Sequence, residues 1–267
     1  MSVKPISLVF VATLLLAVIA ALPTTANATI VRVETVVGDF DINLYDNATP
    51  ATVTNLLDYV QNGAFTDSIF HRSVDGFIVQ SGGFRTDPNV QITSIPTNPA
   101  VTNEPVYSSV RGTIAMAKLG NDPNSATSQW FINLANNAAS LDGQNGGFTV
   151  FGEVTGAGMD VIDVLAALPT YAFASPFGEL PLQNYSGTDF SNGVAVDNTH
   201  LIIVTAITVI DTTVDSAGAA GLNPTPTTAG GTGGGTIPTP ADGGGGGGSL
   251  GLLALLGLIL VNRKRFL

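Results

Sequence analysis

Residues 70 to 83 read FHRSVDGFIVQSGG and set an adjacent histidine and arginine into an otherwise apolar run. A guanidinium is costly to bury unless it is paired, so Arg72 beside Phe70, Phe77, Ile78 and Val79 calls for a reason. Few other residues offer chemistry. Cysteine is absent, which excludes a thiolate nucleophile, a disulfide framework and a cysteine metal site. His71 and His200 are the only imidazoles, and neither an H-E-x-x-H nor a G-x-S-x-G pattern occurs. A zinc site or a serine-histidine triad would have to draw on one of them with partners that no spacing supplies. His200 leads into an apolar strand and reads as structural. In VTGAGMDVIDV, Gly156 and Gly158 imitate a dinucleotide fingerprint, but Val161 holds the third glycine position and no early parallel βαβ unit precedes it. That segment reads as a turn and a helix start. Asp67, Asp75, Asp142 and Glu153 fall near turns or strand ends, and no feature singles out two of them as an acid and base pair.

The run at Arg72 gains meaning together with GTIAMAKLGNDPNSATSQWFINL and LDGQNGGFTVFGEV. In chain order, FHR, G-F-x-x-Q-x-G-G, A-M-A, S-Q-x-F-I-N, L-D-G and V-F-G appear, and in these motifs the chain resembles the cyclophilins, peptidyl-prolyl cis/trans isomerases. The resemblance covers most of residues 29 to 168 plus the last strand. It implies a mostly β, closed eight-stranded antiparallel barrel capped by two α-helices, and an isomerase that needs no cofactor and no metal. It places Arg72 at the family's catalytic arginine. Phe77, Ile78, Phe131 and Leu141 would form the proline pocket, with Gln80 and Gln129 as polar groups on its floor and wall. Ala117 and Lys118 would present backbone to the substrate chain, and Phe148 would close the rim. Taken singly, Phe77 and Phe131 read as plain barrel core. Because prolyl isomerisation needs no proton transfer, His71 is expected to support the pocket from behind as a buried structural histidine.

The chemistry suits these types. Amide resonance opposes rotation with a barrier of ~18 to 20 kcal/mol, and no bond has to break. A guanidinium beside the ring can donate to the proline nitrogen as it becomes pyramidal, a hydrogen bond that strengthens in the twisted state. Period-two alternation puts Gln80 on the same strand face as Ile78, where it could fix the guanidinium. Three positions depart from the family pattern. Ser140 stands where cyclosporin-sensitive relatives carry tryptophan, Lys118 where asparagine is common, and Phe148 where histidine is common. Trp130, one residue from Phe131 on a strand, should point to the opposite face.

The elements that must position these residues are legible from periodicity. TIVRVETVVGDFDINLY alternates on both sides of Gly38-Asp39 and predicts a hairpin with one buried face. Thr49 as N-cap, Pro50 as first helical residue, Val53, Leu56, Leu57 and Val60 at helical spacing and Gly63 as stop predict an amphipathic helix. From Ala64 to Val154, short apolar runs between turn residues predict several antiparallel strands. A second helix fits Met159 to Leu168, ended by Pro169. Residues 169 to 199 show no clear periodicity and exceed the compact family core. Their aromatics Tyr171, Phe173, Phe177, Tyr185 and Phe190 suggest that they pack down on the barrel. HLIIVTAITVID closes the domain as a β-prone strand. This order does not alternate strands and helices as a doubly wound nucleotide fold would.

The chain of 267 residues carries a net charge of −11, and its ends differ from its middle. Residues 1–28, with Lys4, the apolar run Ile6 to Leu22 and Ala26 and Ala28 in an A-x-A pattern, read as a signal peptide, an uncleaved anchor being the alternative. Residues 29–211 form the isomerase-like domain. Residues 212–248 are a Gly, Pro and Thr-rich flexible linker. Residues 249–267 hold a short apolar segment and a basic tail. Its apolar core, Leu250 to Val261, would span only about 18 Å as a helix at ~1.5 Å per residue, short of a bilayer core of about 30 Å. It resembles a Gly-Gly type C-terminal sorting signal, with a permanent anchor as the alternative. The expected location is therefore extracytoplasmic, periplasm or cell surface, with membrane contact through the C-terminal segment. Within the domain, Arg32, Arg72, Arg85, Arg111 and Lys118 face eighteen acidic residues, so nucleic acid is not an expected partner. The expected partners are proline-containing peptides and unfolded exported proteins, bound by a monomer. A tethered proline-binding or chaperone module with negligible turnover is the competing function, and retention of Arg72 argues against it.

Overall fold

The computed structural model describes residues 29–212; the signal peptide, nearly all of the linker and the C-terminal segment expected above lie outside the described residues. The chain opens with the expected hairpin, β1 (Ile30–Thr35) and β2 (Phe40–Leu44), and the helix α1 (Pro50–Gln61). Short strands follow: β3 (Ser68–Ile69), β4 (Arg72–Val74), β5 (Ile78–Ser81), β6 (Phe84–Arg85), β7 (Thr93–Ser94), β8 (Thr113–Met116) and β9 (Trp130–Asn133). After a helical turn α2 (Ala138–Leu141) come β10 (Val150–Val154) and α3 (Gly158–Ala166). The stretch without sequence periodicity contains β11 (Thr170–Tyr171), β12 (Leu180–Pro181) and α4 (Gly187–Ser191), and β13 (Ile203–Asp211) ends the domain.

The protein is mostly β, a curled antiparallel sheet with few helices. Eleven strands are hydrogen-bonded in the order β4-β5-β9-β8-β10-β2-β1-β13-β3-β6-β7, and β11 pairs with β12 separately. Strand alternation sorts the side chains into two sets. Val79, Ile114 and Ile132 are cross-strand neighbours and join Val31, Val33, Ile42, Phe70, Phe151 and Trp130 in the main core, which the apolar faces of α1 and α3 also enter. Trp130 thus turns away from Phe131, as its place on the strand requires.

Two local expectations resolve differently in detail. Thr49 precedes α1, but its hydroxyl donates to the Tyr45 carbonyl and accepts from no helix N–H. The helix N-terminus is capped from a distance by Glu104, whose carboxylate accepts from the Ala51 and Thr52 N–H groups and the Thr52 hydroxyl. α3 begins at Gly158 because the backbone there presses on the hairpin. A Cβ at that position would lie 2.6 Å from Val154 Cγ1 and 2.9 Å from Phe40 Cβ. The glycine pair in VTGAGMDVIDV therefore serves a turn and close packing.

Candidate functional site

The site is built on the sheet face opposite the main core. Register aligns Arg72 with Gln80, Gln80 with Phe131, Phe131 with Ala115, and Ala115 with Val150, so these five residues form one lateral row across β4, β5, β9, β8 and β10. Paired residues share a face, so the polar end of the row, Arg72 and Gln80, runs directly into an apolar one. Ile78, two residues before Gln80, lies on that same face.

Those residues close into a hydrophobic cluster of their own. Tyr45, Ile78, Ala115, Phe131, Leu141 and Val150 are its buried members, and Phe77, Ala117, Tyr107 and Phe148 pack against them. The predicted pocket residues therefore divide into two layers. Ile78, Gln80, Phe131 and Leu141 are buried, whereas Arg72, Phe77, Ala117, Lys118, Gln129 and Phe148 are half-buried around them. Phe148 meets Phe131 edge to face, with ring centroids 5.6 Å apart. Leu141 arrives on α2, which Asn137 ties to the Phe77 carbonyl through its side-chain amide at 2.8 Å.

The polar groups are held individually. Gln80 Nε2 donates to Gln129 Oε1 at 2.8 Å. Gly83 lets the end of the β5 segment pass over Gln129, since a Cβ there would stand 2.8 Å from Gln129 Cδ. Arg72 takes a different partner from the one its strand neighbour suggested: its Nε donates to Glu179 Oε2 at 2.7 Å. Sequence reasoning missed Glu179, which lies 107 residues away in the aperiodic stretch and carries no local signal. The Ala117 N–H is spent on the Gln129 carbonyl, which leaves its C=O as the backbone group to offer a ligand.

Lys118 acts through its side chain as well as its backbone. Its Nζ donates to the carbonyls of Asn145 and Gly147 and sits 4.7 Å from the centre of the Phe148 ring. It thereby straps the 143–147 loop to the aromatic rim, and burial lowers its pKa to about 8. His71 lies behind the row, fully buried and edge-on to Phe84 at 5.0 Å. Burial first, and the neighbouring Arg72 charge as well, lower its pKa to about 4, so the imidazole is neutral at physiological pH. His200 is remote from the site, where its Nδ1 accepts from the Asp197 N–H.

Nothing in this arrangement resembles a hydrolytic or metal centre. Glu153 accepts from the Tyr45 hydroxyl and Asp142 from the Ser109 N–H, so two of the candidate carboxylates serve local structure. Among the described residues no group of three or more His, Cys, Asp or Glu side chains could hold a metal ion. Two surface depressions, of about 430 Å³ around Asp67, Arg85 and Thr93 and about 320 Å³ around Arg32, Phe40 and Val161, lie away from the row. Neither depression gathers an aromatic cluster like that of Phe77, Phe131 and Phe148, and the cation of the second, Arg32, gives both Nε and Nη2 to Asp41. The arrangement can seat a small apolar ring against Phe131 and Phe148, with a guanidinium and two amides at its edge.

The chain is also similar to known proteins. The family model "Cyclophilin type peptidyl-prolyl cis-trans isomerase/CLD" matches residues 30–185. A peptidyl-prolyl cis-trans isomerase of Acinetobacter baylyi is 40% identical over 146 residues, covering 54% of this chain and 76% of the relative. Peptidyl-prolyl cis-trans isomerase B of Escherichia coli is 39% identical over 139 residues, covering 50% of this chain and 81% of the relative. A crystal structure of a Cryptosporidium parvum cyclophilin type isomerase in the presence of the dipeptide Ala-Pro aligns with a TM-score of 0.49 at 24% identity, covering 68% of this chain and 99% of that one.

Proposed function

Because the chain belongs to the cyclophilin type peptidyl-prolyl cis-trans isomerase family, we propose that it catalyses cis/trans isomerisation of X-Pro bonds with Arg72 as the catalytic residue. The observation that carries this is the row Arg72-Gln80-Phe131-Ala115-Val150, which sets one guanidinium at the edge of one apolar cluster.

The slot holds the proline ring against Phe131, with Ile78 and Leu141 beneath and Phe77 and Phe148 at the sides. An apolar wall excludes water that would compete for the guanidinium. As the amide twists, its nitrogen recovers a lone pair and becomes a better acceptor, and an N–H of Arg72 meets it. The hydrogen bond is weak to the planar amide and stronger to the twisted one, so it favours the transition state over either ground state. Each ~1.4 kcal/mol of that preference is about tenfold in rate. Gln80 and Gln129, bonded to each other, keep a fixed polar edge beside the ring, and the Ala117 carbonyl can pair with the substrate backbone. His71, neutral and buried, has no proton to supply and the reaction needs none.

The substrates we infer are proline-containing segments of unfolded exported proteins. The support is the N-terminal pattern of residues 1–28 with its A-x-A site, and the linker and short apolar C-terminal segment with Arg263, Lys264 and Arg265. Uncatalysed X-Pro isomerisation takes tens to hundreds of seconds, and a catalyst that uses no ATP suits an extracytoplasmic site. A closed barrel is part of the same proposal. Residues 68 to 74 pair first with β13 and then with β5, through Phe70 N–H to the Ile202 carbonyl and His71 N–H to the Gln80 carbonyl, and such a segment can join the two ends of the curled sheet.

The test is a prolyl-peptide isomerisation assay on the full-length chain beside Arg72→Ala. Clear catalysis is expected, falling by about a hundredfold in the variant, the order found when one preorganised donor is removed, with circular dichroism and melting temperature unchanged. A wild-type chain without activity would favour the binding module, and an active Arg72→Ala would remove Arg72 from the mechanism.

A further inference from the structure

The partner of Arg72 comes from outside the strands that build the slot. Glu179 immediately precedes β12, in the stretch whose sequence shows no periodicity. Its carbonyl accepts from the Ser73 N–H at 2.9 Å, which lays its backbone alongside β4. The flanking residues are anchored too: Phe177 and Leu180 are buried in a cluster with Ile69, Phe84, Leu182, Tyr185 and Leu201. The carboxylate is therefore offered from a fixed backbone, so pairing costs only the side chain's own rotamer freedom.

The manner of pairing separates Arg72 from the other paired arginines. Arg32 gives both Nε and Nη2 to Asp41, and Arg111 gives Nη2 to both oxygens of Asp163 and Nη1 to the Leu134 carbonyl. Arg72 gives only Nε. Among the described residues no hydrogen bond from its Nη groups is found, so the outer edge of the guanidinium stays available. Because the guanidinium is planar and delocalised, one short bond at Nε is enough to set the orientation of the remaining donors. Gln80, the neighbour that sequence logic assigned to this task, donates its Nε2 to Gln129, and among the described residues no hydrogen bond joins it to Arg72.

We propose that Glu179 is a positioning residue for Arg72: from the segment between α3 and β13 it fixes the guanidinium plane so that the Nη donors face the proline slot. It rests on Arg72 acting as proposed above. Glu179 touches no reacting atom. Its carboxylate also offsets the cation locally, which lowers the cost of holding a half-buried arginine at the end of the row without consuming the donors that meet the substrate.

The experiment is a double-mutant cycle in the full-length chain with Arg72→Ala, Glu179→Ala and the pair, plus Glu179→Gln, read as kcat and KM in a prolyl-peptide assay and as melting temperature. Glu179→Ala is expected to lower kcat about tenfold with little change in KM and melting temperature. Glu179→Gln keeps an oxygen to accept from Nε and should recover most of the rate. In the Arg72→Ala background, Glu179→Ala should have no further effect, because there is nothing left to orient. An equal loss in both backgrounds would reduce Glu179 to packing of its segment and overturn the proposal. Unchanged kcat in Glu179→Ala, or a rise showing that the carboxylate holds the guanidinium back, would overturn it while leaving Arg72 catalytic. Full activity of Arg72→Ala would overturn the assignment of Arg72 and this proposal with it.

Discussion

His71 and Arg72 are adjacent in sequence and opposite in physics. Arg72 is half-exposed and paired, and its charge is available to a ligand. His71 is buried against Phe84, and burial holds its pKa at about 4 against an ordinary 6.5. Between those values the unfolded chain binds a proton that the folded chain refuses, so unfolding free energy rises with pH across that window. Stability carries no penalty from this group above pH 6.5 and declines as the pH falls toward 4. Imidazole NMR of the folded protein should show a His71 midpoint near 4, and His71→Gln should flatten the loss of stability between pH 6.5 and 4.5. A midpoint at or above 6 would contradict both. The isomerase rate should be indifferent to this titration between pH 6 and 7.5, because no proton moves in the reaction.

At the scale of elements, the parts that sequence made legible are those governed by one local rule. The β1 and β2 hairpin follows from alternation, α1 from Pro50 and helical spacing, and α3 from the run around Ile162 and Leu165. What was not legible depends on contacts between distant segments. Residues 169 to 199 looked structureless because each piece is short. β11, β12 and α4 have two, two and five residues, and order comes from Phe177, Leu182 and Tyr185 packing against Ile69 and Phe84. Only the aromatic content hinted at that. Glu179 was invisible for the same reason, and so was the cap of α1. Glu104 reaches Ala51 and Thr52 from more than fifty residues away, whereas Thr49, in the expected cap position, bonds elsewhere. Glu104→Ala removes the acceptor for two orphan helix donors and a favourable charge at the positive helix end, and should cost about 1–2 kcal/mol in urea unfolding. A loss below about 0.3 kcal/mol would mean that water caps the helix equally well.

At the scale of the whole molecule, the apolar slot sits in an acidic body. Five basic side chains face eighteen acidic ones in residues 29–211, and three of the arginines are neutralised locally by Asp41, Glu179 and Asp163. Beyond the few ångströms over which these pairs and the rim ammonium of Lys118 act, the field is that of a domain with a large net negative charge. Such a field attracts cations over roughly a Debye length, about 10 Å at 0.1 M salt and 30 Å at 0.01 M. It follows that peptides with lysine or arginine near the proline should have a lower KM than their aspartate or glutamate counterparts at low ionic strength. The difference should shrink toward unity at 0.5 M NaCl, while kcat, which depends on the amide twisting inside the slot, changes little. Measuring KM for a matched basic and acidic peptide pair across that salt range separates the long-range field from the local contacts. A preference that persists unchanged at high salt would assign selectivity to a short-range partner, with the half-exposed Glu179 carboxylate the first residue to replace.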